Sequence, residues 1–307
     1  MNTAAERENR PREFSDEALG RNEKVFCAPL ACRGREGFRL KNMITLSKSS
    51  APATKLYHAP SSYYSMIARL ALAEAGIAAQ PVRLDIHRRM EQLEPAYVAL
   101  NPSMTVPTLV LPDQVLADSR DIVAWSFGEV ACAGAAGEAI DRQYTFPIED
   151  LTMSWLMGWN PVARRALPRK LQAANRQLLR LAARYPELAA VYRRRAEVFA
   201  ARSRTFGVDG LQALFARRWS EAEVHLDWLE QTLDDGRPFL FSNAFGPADA
   251  VWIAFLGRIR FIGKGAAIDR RPALRLYEAT MQARPAWAAA EIWTRIHWFK
   301  LLRQILA

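Results

Sequence analysis

The chain has 307 residues, 50% of them hydrophobic, enough to bury a sizeable core in one large or two modest domains. Charged residues make up 24% and the net charge is +10, an excess carried mostly by arginine that suits nucleic acid, an anionic surface or small anionic ligands. The arginines are spread widely, with neither zinc-finger spacing nor an aromatic-basic RNA signature, so nucleic acid is not expected as a partner.

Residues 1–54 are expected to form a disordered extension. Met1–Lys24 is polar with mixed charge, Thr45–Thr54 is rich in Ser, Ala and Thr, and Val25–Leu40 is too short and irregular for a core. The segment lacks the continuous apolar stretch of a secretory signal, and Glu6, Glu8, Glu13, Asp16 and Glu17 argue against a mitochondrial leader. Met43 is expected as a second candidate for the start of translation, a reading that intact-mass measurement on native protein checks. From Lys55 the pattern changes: Lys55–His58 reads as a strand and Pro60-Ser61-Ser62 as a turn. A helix follows, with apolar positions Met66, Leu70, Ala73 and Ile77 spaced by four, three and four and a left-handed cap at Gly76. Pro81–Ile86 reads as a second strand, and Glu94–Leu100 as a short helix ended by Asn101-Pro102. Thr108–Leu111 and Val115–Ala117 read as a hairpin, and Asp118–Glu129 as a helix. The order β-α-β-α-β-β-α over residues 55–130 predicts a small sheet with helices packed on it.

Residues 131–144, opening on the small-residue run Ala131–Ala139, are expected to be a linker. Residues 145–307 then read as an all-helical domain. Thr145–Trp159 is apolar and aromatic, and Leu171–Phe206 and Gly210–Leu233 have the leucine, alanine and arginine content of long helices. Gly246-Pro247-Ala248-Asp249 is a helix start with Asp249 near the unpaired N–H groups, and the nearly all-apolar Val251–Phe261 behind it belongs in the core. Trp293–Leu306 is amphipathic and reads first as a helix closing a pocket, and second as contact with an anionic membrane surface.

Cys27, Cys32 and Cys132 make neither a disulfide framework nor a CxxC pair. His58, His87, His225 and His297 lack metal-ligand spacing, so a reduced, metal-free, cytoplasmic protein is expected. No apolar run is long enough to cross a bilayer. The most informative feature is Val106-Pro107-Thr108-Leu109, followed by Asp118-Ser119 at a helix start. The proline fixes the loop, leaving Val106 to pair with an extended ligand, and the helix start offers N–H donors and a hydroxyl to a carboxylate. This combination points to a small acidic peptide.

Taken with Lys55-Leu56-Tyr57-His58, Ser61-Ser62, Arg69-Leu70-Ala71-Leu72, Asn101-Pro102, Asp118-Ser119-Arg120-Asp121-Ile122 and Ala248-Asp249, these residues resemble the cytosolic glutathione transferases over roughly residues 55–295. The resemblance implies a thioredoxin-like α/β domain followed by an all-helical domain. Tyr185-Pro186-Glu187-Leu188 and Leu256-Gly257-Arg258-Ile259 look most like the tetrachlorohydroquinone dehalogenase branch. That branch carries Ser-X-Cys at the first helix, where this chain reads Ser62-Tyr63-Tyr64, so steps needing an enzyme thiol are in doubt.

The resemblance implies glutathione as co-substrate, a hydrophobic electrophile as acceptor and a homodimer. By matching position Ser62 is the donor to the thiol, with Ser61 second and Tyr63 and Tyr64 behind. From spacing alone, Ser61 or Ser62 reads first as a helix cap, and the resemblance turns that order round. Pro107 is expected to be cis, so that Val106 presents its N–H and C=O to the cysteinyl backbone, while Asp118 and Ser119 hold the γ-glutamyl end. Spacing alone leaves a trans proline and a plain capping pair as alternatives. Arg88, Arg89 and Gln92 are candidates for the glycine carboxylate, and Trp155, Trp159 and Trp252 for the acceptor pocket or the core. Asp249 is expected to be a folding cap. The product side stays open between halide, aryl oxide, simple addition and isomerisation, and a non-catalytic binding module is the alternative of a different class.

Overall fold

Leu56 and Tyr57, neighbours in the first strand, point to opposite faces, so the sheet needs cover on both. A computed structural model describes residues 54–207 and 210–295 and has this arrangement. Strand β1 (Lys55–His58), helix α1 (Tyr63–Glu74), β2 (Gln80–Arg83), α2 (Pro95–Leu100), β3 (Thr108–Val110), β4 (Val115–Leu116) and α3 (Ser119–Phe127) follow in the expected order. The sheet runs β2-β1-β3-β4, with β1 parallel to β2 and the other pairs antiparallel. A parallel pair needs a crossover, and α1 supplies it. Leu56, paired with Leu109 in the β1–β3 register, buries toward Ala68, Leu72 and Ile122 of α1 and α3. Tyr57 points the other way, toward Tyr97 of α2 and Val106, as the two-residue period of a strand requires.

Helix α1 ends where a residue without Cβ allows it. Gly76 has φ +66°, the Ile77 N–H reaches back to the Leu72 carbonyl at 2.9 Å, and the Gly76 N–H to Ala73 at 3.2 Å. This double bond closes the helix and turns the chain toward β2.

Beyond α3 the described chain is helical: α4 (Gly134–Thr145), α5 (Ile148–Trp159), α6 (Pro161–Arg184), α7 (Ala189–Gly207), α8 (Leu211–Thr232), α9 (Pro247–Phe261), α10 (Ala266–Asp269), α11 (Pro272–Gln282) and α12 (Pro285–Ala290). Every residue of α9 from Pro247 to Ile259 is buried, so this helix is the axis of the core, against which Tyr63, Met66, Ile67 and Leu70 of α1 pack. Asp249 starts it. Its buried carboxylate accepts the Leu240 N–H, the Gly246 N–H and the Tyr277 hydroxyl, each at 2.8 Å, which is the folding cap expected. Burial raises its pKa to about 6.

Several boundaries differ from the sequence reading. Residues 131–144, expected to be a linker, are mostly α4. Its two glycines and run of small residues hide the pattern, but Ala139, Ile140 and Gln143 are buried, and the Ala139 carbonyl accepts the Trp252 indole N–H at 3.0 Å. Leu171–Phe206 is two helices rather than one, because the chain turns at Tyr185-Pro186 and α7 packs back on α6. The second strand is shorter than Pro81–Ile86, and α3 stops at Phe127, with Gly128 at φ +85° behind it. The extension over residues 1–53 lies outside the described residues, and so does the run after Arg295. Among the described residues no helix is long and apolar enough to cross a membrane.

Two sets of contacts tie the end of the helical half to the sheet half. The Arg69 guanidinium donates to the carbonyls of Ala290 (2.7 Å), Glu291 (3.3 Å) and Pro60 (3.3 Å). Arg284 makes a two-point ion pair with Glu74 at 2.6 and 2.5 Å.

Candidate functional site

Ser62 precedes α1 with extended backbone, and its Oγ accepts the Ser65 N–H at 3.3 Å. A serine hydroxyl has one proton and two lone pairs, so accepting from Ser65 leaves the O–H proton to donate outward. Capping and ligand donation are therefore compatible in the same side chain. The neighbouring Ser61 Oγ lies 2.8 Å from Nε2 of His87, a histidine whose pKa is lowered by burial and by Lys170. Tyr63 is buried, with its hydroxyl 2.6 Å from Nε2 of Gln143, which donates to it. Tyr64 stacks on Tyr144 with ring centres 5.9 Å apart. Burial pushes both phenols above their usual range, which keeps them protonated.

The Val106–Pro107 peptide bond is cis. A buried polar node holds the loop around it. The Asn101 amide donates to the Thr105 carbonyl (3.0 Å), the Thr108 hydroxyl (2.9 Å) and the Ala117 carbonyl (3.0 Å), while its Oδ1 accepts the Ser103 N–H at 2.9 Å. The Tyr97 hydroxyl joins at Thr108, 2.8 Å away. One fully buried asparagine thus fixes Val106-Pro107 on one side and the approach to Asp118 on the other. Asp118 caps α3 by accepting the Arg120 N–H at 2.8 Å. Ser119, 2% exposed, has its hydroxyl 2.8 Å from that of Tyr144. Through Tyr144 the start of α3 touches Tyr64, and the Asp118 charge is felt at both phenols. The starts of α1 and α3 therefore border one region.

The remaining candidates separate. Arg88 and Arg89 are exposed, Arg89 lying 3.7 Å from Glu91. Gln92 is 6% exposed, its amide nitrogen 3.7 Å from the Met90 sulfur and its buried Oε1 without a hydrogen-bond partner among the described residues. Trp155 is half-buried against Phe261. Trp252 is wholly buried among Trp228, Phe255 and His225, so it belongs to the core and not to a pocket. The Trp159 side chain lies outside the described residues. Of the C-terminal run, Trp293 is buried, with its backbone N–H donating to the Met66 sulfur at 3.5 Å. Among the described residues no group of three or more His, Cys, Asp or Glu side chains is placed to hold a metal.

Sequence reasoning missed His87 as the partner of Ser61, and it read Arg258 only within the Leu256-Gly257-Arg258-Ile259 resemblance, with no role at the site. The Arg258 guanidinium lies over the rings of Phe261 (4.9 Å) and Tyr63 (5.6 Å), with Nη2 3.5 Å from the Ser61 carbonyl. The local hint was a basic residue in the otherwise apolar stretch Val251–Ile259 of α9.

A βαβαββα half with a cis Val-Pro loop, joined to a helical half through α1 and α9, defines a thioredoxin-like domain with an all-helical partner. The family model for the glutathione S-transferase N-terminal domain matches residues 61–126, and that for the glutathione S-transferase C-terminal domain matches residues 212–280. The tetrachloro-p-hydroquinone reductive dehalogenase of Sphingobium chlorophenolicum is 32% identical over 256 residues, spanning 78% of this chain and 96% of that protein. Among solved structures, a serine-to-cysteine mutant of poplar glutathione transferase F1 has a TM-score of 0.55 at 16% identity, covering 78% of this chain and 97% of that one. The β-etherase LigF from Sphingobium sp. strain SYK-6 has a TM-score of 0.53 at 18% identity, covering 78% and 98%. These two likenesses show the fold. The chain belongs to the glutathione S-transferase family and is a glutathione-binding enzyme of that family.

Proposed function

We propose that the protein transfers glutathione to a hydrophobic electrophile, with the thiol held as thiolate by the hydroxyl of Ser62. The single observation that carries this reading is the position of Ser62 at the start of α1, its oxygen accepting the Ser65 N–H and its proton left to donate. Free thiols have a pKa of about 8.5, so near neutral pH the nucleophilic form is scarce. A charge-assisted hydrogen bond and the positive end of a helix both favour the anion. A drop of about two units corresponds to ~2.7 kcal/mol of preferential thiolate binding, within reach of the two together. In this reading Val106 and Pro107 face the cysteinyl backbone, and Asp118 and Ser119 take the γ-glutamyl end. Ser61, turned to His87, and Tyr64, stacked on Tyr144, are the reserve donors. A homodimer and a cytoplasmic location go with the family.

The similarity to a reductive dehalogenase favours an acceptor from which the thiolate displaces halide. Because Ser62-Tyr63-Tyr64 holds no cysteine, the expected product is the glutathione conjugate and not the reduced arene. The deciding measurement is the thiol pKa of bound glutathione, read from thiolate absorbance, in the native protein and in Ser62→Ala. A rise of about one unit or more in the variant, with conjugate formation slowed in proportion, is expected. An unchanged pKa removes Ser62 from this role. Halide released together with conjugate, assayed on a chlorinated aromatic, separates displacement from addition.

A further inference from the structure

Arg258 is 8% exposed, yet among the described residues it makes no ion pair. Its hydrogen bond among those residues is the long contact to the Ser61 carbonyl, 3.5 Å. The nearby acid, Glu149 of α5, is bonded to Arg202 of α7, and Arg195 also acts on that carboxylate. The other groups facing Arg258 are the phenols of Tyr63 and Tyr64 on α1, both kept neutral by burial. Three guanidinium groups thus share one carboxylate, and Arg258 is the one that points at the Ser61–Ser62 turn. Burying a cation without a counter-charge is costly, and here burial lowers the guanidinium pKa to about 10. An anion arriving at the turn would remove that cost.

We propose that Arg258 is the counter-cation of the glutathione thiolate, reaching the start of α1 from the helical half of the molecule. The inference rests on the reading of Ser62 above and adds a second stabilising group. Ser62 donates from an uncharged hydroxyl, whereas Arg258 supplies a full charge, its guanidinium held over the rings of Tyr63 and Phe261. The role also accounts for a charged residue on the one helix that is otherwise wholly apolar from Val251 to Ile259.

The test titrates the thiol of glutathione bound to the full-length native protein, to Arg258→Met and to Arg258→Lys. Binding of S-methylglutathione, which has no ionisable thiol, is measured on each by calorimetry. In Arg258→Met the thiol pKa is expected to rise by about one unit, leaving roughly tenfold less thiolate at a pH below it. Arg258→Lys should stay within about 0.3 unit of the native value, and S-methylglutathione affinity should change less than about threefold in both. If the methionine variant does not fold, Arg258→Gln carries the same expectation. An unmoved thiol pKa with intact S-methylglutathione binding overturns the proposal. So does an unmoved pKa joined to a raised KM for acceptors bearing an anionic oxygen, which would give Arg258 to the acceptor. Failure of the native protein to bind S-methylglutathione would instead sink the glutathione site itself, a result distinct from either.

Discussion

His58, at the end of β1, accepts a hydrogen bond at Nδ1 from Arg69, 3.1 Å away, so its proton sits on Nε2. Burial first, then Arg69, lowers its pKa to about 4, against 6.5 for a free imidazole. Below pH 6.5 the unfolded chain takes up a proton that the folded chain refuses. The stability this neutral histidine contributes is therefore complete above pH 6.5 and is lost as pH falls toward 4. Between pH 6.5 and 4.5 the loss is about 2 kcal/mol for this one group. Denaturant titrations at the two pH values should show His58→Gln losing less than the native protein by about that amount; equal losses would mean that His58 titrates normally in the fold. At the same scale, Ser61 and Ser62 were legible in the sequence because a hydroxyl pair before an apolar periodic run marks a helix start. The contacts of His87 and Arg258 with Ser61 were not, because those residues meet it from 26 and 197 residues away and no local pattern reports a partner so distant.

Among the elements, the loop from α2 to α3 is braced by Asn101. The asparagine bridges the loop, β3 and the residue before Asp118, and all of its polar atoms are buried and paired. Asn101→Ala removes the side-chain partner of the Ser103 N–H and the Ala117 carbonyl, while Thr105 and Thr108 keep the Tyr97 hydroxyl. It should cost about 2–4 kcal/mol in denaturant unfolding and weaken glutathione binding, since Val106 and Ser119 lose a shared brace. A cost below about 1 kcal/mol with unchanged glutathione affinity would show that the loop holds itself. Sequence alone placed Asn101 at a helix end, which is correct but says nothing of a node joining three segments. It missed α4 for a related reason. Glycines and alanines carry little periodic signal, and only the packing of Ala139 and Ile140 makes that stretch a helix.

For the molecule as a whole, the order of strands and helices followed from pattern, but the joining of its two halves did not. The joint is built from α1 packed on α9, Arg69 bound to Ala290, and Arg284 paired with Glu74. These polar contacts span 221 and 210 residues, whereas the Asp249 bonds span nine and 28. Closing a long loop costs more chain entropy than closing a short one, and contacts near in sequence form sooner. The carboxylate that starts α9 is therefore suited to be a folding nucleus, with the sheet half docking onto a helical core already assembled. Refolding and unfolding rates test that order. Asp249→Asn should chiefly slow refolding, while Arg284→Ala should chiefly speed unfolding, because its ion pair forms after the barrier. The opposite partition would make the sheet the first part to form. If the order holds, Asp249 governs how fast the molecule comes into being, while Arg284 governs how long it lasts.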